Sequence, residues 1–124
     1  MKRILIIDDE PDVRMLTAKR LAANGFEVLE AADGPSGILV AKQERPDLIL
    51  LDLVMPDQDG VRTYHLLRRD PVTESIPIIF VTALSGNVPY SAGPKERSYV
   101  SILGKPYEPQ ELLQEIQKAF DPSP

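Results

Sequence analysis

The chain has 124 residues, twelve of them proline, with no cysteine, no tryptophan, one histidine and a formal charge of −5. No disulfide framework, thiol nucleophile or thiolate metal site can be built without cysteine, and one histidine cannot make a multi-histidine centre. The acidic balance opposes bulk binding to a phosphate backbone and no apolar run approaches a membrane span or signal peptide. The expectation is therefore one cytoplasmic domain over 1–124, with no direct nucleic-acid or membrane contact.

Ile4–Ile7 is a β-branched apolar run, read as a buried parallel strand that stops at Asp8-Asp9-Glu10. Pro11 suits the first position of a helix, whose apolar residues Val13, Leu16, Ala18 and Leu21 recur at helical spacing until Asn24-Gly25 stops it. Phe26–Leu29 reads as a second strand. Asp33-Gly34-Pro35 turns into a second helix, with Ile38 and Ala41 inward. Leu48–Leu51 is a third strand, ending on Asp52; a loop then leads to a third helix over Val61–Arg69, with Leu67 inward. His65 reads as a partly solvated side chain, and Arg68-Arg69 as a solvated helix end. Pro77–Val81 is a fourth strand ending at Thr82, Tyr99–Leu103 a fifth ending before Lys105-Pro106, and a last helix from Pro109 carries Leu112, Leu113, Ile116 and Phe120 on one stripe. This alternation predicts an α/β fold, a parallel sheet with helices on both faces. Between Leu84 and Ser98, two prolines and two glycines oppose the helix that alternation demands, so that helix is expected to be short or missing.

Ligands of open parallel sheets bind at the carboxyl ends of the strands. Those ends collect Asp8, Asp9, Glu10, Asp52, Thr82 and Lys105. An acidic pair after a strand, alone, is a solvated helix start; four strand ends that each deliver a polar group are harder to attribute to chance. Clustered carboxylates repel, and a bound cation relieves the repulsion. An oxygen-only donor set points to Mg2+ or Mn2+. Such an ion, with a lysine and a hydroxyl, could position a phosphoryl group, and an aspartate can itself be the nucleophile. An aspartate-based phosphatase would need a second acid two residues after Asp52, where Val54 stands, so enzymatic turnover is not expected.

The stretches ILIIDDEP (Ile4–Pro11), AADG (Ala31–Gly34), DLILLDLVMPDQDG (Asp47–Gly60), IPIIFVTA (Ile76–Ala83) and GKPY (Gly104–Tyr107) resemble the receiver domain of two-component response regulators. That resemblance implies a flavodoxin-like, doubly wound sheet of five parallel strands in the order 2-1-3-4-5. It implies Asp52 as phosphoacceptor. Asp9 becomes a direct Mg2+ ligand, Asp8 a ligand through a metal-bound water, and Val54 the donor of a backbone carbonyl. Thr82 is the switch hydroxyl, Ala83 the small residue beside it, and Lys105 the partner of the acceptor or its phosphate, followed by a cis peptide to Pro106. The implied phosphate source is a phosphohistidine on a sensor histidine kinase or phosphotransfer protein, with an unspecified downstream protein as target. Two features depart from the pattern: Ile102 stands where the family often has an aromatic three residues before the lysine, with Tyr99 upstream as a substitute left open, and Pro89 and Pro94 disturb the segment before strand five. They motivate an alternative, a receiver-like interaction module insensitive to phosphorylation. Val54 and Leu84 would flank the acyl phosphate without a polar atom to orient water, which predicts slow spontaneous dephosphorylation.

Overall fold

The computed structural model describes residues 1–53, 59–83, 93–94 and 99–121. In chain order the elements are β1 (Arg3–Ile7), α1 (Pro11–Ala23), β2 (Glu27–Ala31), α2 (Gly34–Glu44), β3 (Leu48–Leu51), α3 (Asp59–Arg69), β4 (Ile78–Thr82), β5 (Gly93–Pro94), β6 (Tyr99–Gly104) and α4 (Pro109–Phe120). Five strands are parallel in the order β2-β1-β3-β4-β6, the expected 2-1-3-4-5 arrangement. The expectation of five strands needs one addition: Gly93–Pro94 pairs antiparallel with Val100 and Tyr99 at the outer edge. A proline is tolerated there because an edge strand does not need every N–H. The expectation of a short or missing helix over 84–98 falls, apart from these two residues, outside the described residues.

The central strands are apolar on both faces because both faces are covered. Leu5, Ile7, Ile49, Leu51, Ile78 and Phe80 pack with Ala41 of α2 and Leu67 of α3. Ile4, Ile6, Leu48, Leu50, Ile79 and Val81 pack on the other face with Leu21 of α1 and Leu112 and Ile116 of α4. The alternation of strand side chains thus sorts one run of aliphatics into two cores.

Local chemistry sets the helix ends. Pro11 opens α1, and Asn24 ends it, the Asn24 N–H donating to the Leu21 carbonyl and the Gly25 N–H to that of Ala22, with Gly25 at φ +90°. The Asp33 carboxylate accepts the Ser36 N–H at 2.8 Å and caps α2. Glu108 and Glu111 form a capping box on α4. One expectation is corrected here. Arg68 is not a solvated helix end: it is half-buried, and its Nη1 donates to the carbonyls of Glu74 and Ile76 at 3.1 and 2.9 Å. Its guanidinium lies 5.4 Å from the Tyr64 ring, and burial lowers its pKa. The loop before β4 leaves carbonyls that need a donor, and the long arginine stem reaches them. Arg69 is exposed, as is His65.

Candidate functional site

Pairing of Ile7 with Leu51 makes Asp8 and Asp52 the next residues on neighbouring strands, at the point where the chain order reverses. The Asp52 N–H donates to the Ile7 carbonyl at 3.0 Å, and the Asp8 N–H to that of Ala31 at 3.1 Å, which fixes both backbones at the sheet edge. On the far side Thr82 pairs with Gly104, and the Lys105 N–H donates to the Thr82 carbonyl at 2.7 Å. The Lys105 side chain reaches back toward the first strands. Its Nζ stands 3.5 Å from Asp8 Oδ2 and 3.7 Å from Asp52 Oδ2. The Lys105–Pro106 peptide is cis.

Asp8 and Asp52 are 5% and 4% exposed, so their charges are poorly screened by water. One oxygen each from Asp8, Asp52 and the exposed Glu10 lie within 4.8 Å of one another. Three carboxylates facing one ammonium leave two negative charges in excess, and all the donors are hard oxygens. That set fits Mg2+ or Mn2+ and no soft metal. Beside the two buried aspartates, Thr17 and Tyr107 help line a cavity of about 10 Å3, room for about one water.

Asp8, Asp52, Thr82 and Lys105 are thus brought to one edge. Thr82 is fully buried at the end of β4, and Ala83 is exposed just after it. Asp9 is half-buried and lies outside the three-carboxylate group, in which Glu10 stands instead. Val54 and Leu84 lie outside the described residues. Ile102 packs with the core that contains Phe80 and Val100, whereas Tyr99 packs with the one that contains Leu103 and Leu112. Three residues apart on a strand, the two face opposite sides of the sheet, so Tyr99 does not take the place of an aromatic at Ile102.

Sequence reading passed over Arg14. Its Nη1 donates to the Asp8 carbonyl at 2.6 Å, and its Nε pairs with Glu30 at 3.2 Å, tying α1 and β2 to the acidic turn. An arginine one helical turn beyond an acidic strand end was the available signal.

Solved structures resemble this arrangement. The chemotaxis protein CheY4 of Vibrio cholerae superposes with a TM-score of 0.82 at 27% identity, covering 96% of this chain and 98% of that one. The receiver domain of the sensor histidine kinase PA1611 of Pseudomonas aeruginosa, which has a magnesium ion coordinated in its active site cleft, does so with a TM-score of 0.81 at 28% identity, covering 95% and 96%. Among curated sequences, Protein PilH of Pseudomonas aeruginosa is 36% identical over 116 residues, 94% of this chain and 95% of PilH. The transcriptional regulator RpaA of Synechocystis sp. is 38% identical over 117 residues, and the Response regulator PleD of Caulobacter vibrioides 47% over 85. This chain spans 48% of the length of RpaA and 18% of PleD. The family of response regulator receiver domains matches residues 4–117, and the chain belongs to it.

Proposed function

We propose that the chain is a signalling switch of a two-component phosphorelay, working in the cytoplasm, in which Asp52 accepts a phosphoryl group from a phosphohistidine on a sensor kinase or phosphotransfer protein. An Asp52 carboxylate oxygen attacks phosphorus, the P–N bond to the donor imidazole breaks, and the imidazole nitrogen keeps the electron pair. Asp8, Asp9 and Asp52, with the Val54 carbonyl, would hold Mg2+ or Mn2+, and Glu10, with an oxygen within 4.8 Å of those of Asp8 and Asp52, would be a further oxygen donor. When bound, the ion neutralises charge on the phosphoryl oxygens. Lys105 pairs with the acceptor before transfer and with the phosphoryl oxygens after it. The Thr82 hydroxyl then turns toward the new charge, Ala83 leaves room for the strand end to approach, and the altered surface is read by a downstream protein. Among the described residues no helix is long and apolar enough to cross a membrane.

The observation that carries this reading is the placement of Lys105 Nζ within 3.7 Å of both buried aspartates at the switch point of the sheet. The phosphorylation-insensitive alternative has no comparable support. Incubation with acetyl phosphate and Mg2+ should add one phosphoryl group by mass, and Asp52→Asn should abolish it. Equal labelling of the variant would overturn the assignment. Amide spectra with beryllofluoride should then change beyond the pocket; shifts confined to it would favour the insensitive module.

A further inference from the structure

On the face of the sheet that carries α2 and α3, a groove of about 270 Å3 opens between the two helices, lined by Pro35, Ile38, Arg62, Thr63 and Leu66. It is smaller than the pockets that enclose drug-sized ligands, and suits a few anchoring side chains. Its apolar character continues outward: Leu66 is 40% exposed and Leu39 56%, two of the six large apolar side chains that the described residues expose. Arg62, Leu66 and Arg69 follow at i, i+4 and i+7 on α3, and Pro35, Leu39 and Lys42 do so on α2, so both helices present a stripe of apolar and cationic side chains. α3 has three arginines, one histidine and one carboxylate, Asp59 at its start, in a chain whose net charge is −5. Of the cations on these two stripes, Lys42 is paired with Asp70 at 3.1 Å; Arg62, which lines the groove, and Arg69, three residues beyond Leu66 on α3, are exposed. An apolar floor with Arg62 in its wall and the exposed Arg69 further along the same stripe of α3 is complementary to an apolar stripe flanked by carboxylates.

We propose that the α2–α3 groove docks an acidic amphipathic helix of a partner protein, its apolar side chains seated between Ile38 and Leu66 and its carboxylates facing Arg62 and Arg69. The site is separate from the acidic edge, and binding is read without phosphodonor or metal. Two synthetic 15-residue helical probes serve the test, one with leucines on one face and glutamates elsewhere, the other with lysine for every glutamate. Titrated into the 15N-labelled chain, the glutamate peptide should shift the amides of residues 36–42 and 62–70, with affinity falling as salt rises. Affinity should fall at least tenfold for Leu66→Glu and for the double variant Arg62→Glu, Arg69→Glu, and stay unchanged for Met15→Glu on the exposed face of α1. Thermal melts check that each variant folds; Leu66→Ala replaces Leu66→Glu if that one does not, and should also weaken binding. Equal binding of the lysine peptide, shifts centred on α1, or affinity indifferent to the two arginine replacements would each overturn the proposal. So would self-association through the groove in sedimentation without peptide binding, because the occupant would then be a second copy.

Discussion

Gly60 sits in the first turn of α3, where a Cβ would meet the backbone of Asp52 and Leu53. It would lie 2.6 Å from Leu53 Cα and 2.7 Å from the Leu53 carbonyl oxygen, and closer still to the Asp52 carbonyl oxygen. Ordinary contact begins at 3.4 Å, so α3 or the end of β3 must retreat by about 0.8 Å or more. No side chain can rotate aside, since all three neighbours are backbone. Gly60→Ala gains up to about 1 kcal/mol in helix propensity and loses about 3 kcal/mol, the upper end for overpacking, because the wall is rigid. The net loss is about 2 kcal/mol, or about 8 °C in midpoint for a domain of this size. Urea and thermal unfolding measure it. The same displacement moves Asp52, so calorimetric titration should show weaker Mg2+ binding. Gly104→Ala is the control: nothing lies within 4 Å of its Cβ position, and its stability should change by less than about 0.5 kcal/mol. A Gly60→Ala chain as stable as the parent, with unchanged Mg2+ affinity, would refute the reasoning.

Further outcomes follow from the same structure. Leu67→Ala, at a fully buried position of α3, should destabilise by about 2–5 kcal/mol in urea unfolding. Arg68→Met should destabilise through the lost Glu74 and Ile76 carbonyl bonds, by about 1–3 kcal/mol, measured the same way. Saturation with Mg2+ at ten times its dissociation constant should raise stability by about 1.4 kcal/mol in the parent and much less in Asp52→Asn. Asp33 is held below its ordinary 3.8 by the Ser36 N–H, and Asp70 by the Val72 N–H and Lys42. A carboxylate with a lowered folded-state pKa stabilises fully above the unfolded value and loses that contribution as pH falls through the folded one. Asp33→Asn, which can still accept at the cap, should therefore flatten the stability–pH curve below about pH 4 in acid titrations followed by circular dichroism.

The sequence by itself determined the five parallel strands, most helix boundaries and the polar residues that end the strands at the site. Those signals are local: β-branched runs such as Ile4–Ile7, a proline at each of three helix starts, Asn24-Gly25 as a stop, and Asp52 terminating an apolar run. Alternation of elements then left few topologies, because parallel strands require crossovers over a covered sheet. Tertiary structure decided what depends on direction and reach. A Glu10 oxygen, rather than one of Asp9, lies within 4.8 Å of those of Asp8 and Asp52, since the turn after β1 decides which carboxylates reach the sheet edge. Tyr99 and Ile102 part to opposite faces because strand side chains alternate, a parity that a residue count gives only once the strand is known to be continuous. Arg68 reads as a surface charge, yet it is drawn half under the loop before β4 by carbonyls that no sequence pattern announces. The α2–α3 groove is likewise invisible in one dimension, because its two walls are separated by a whole strand, β3.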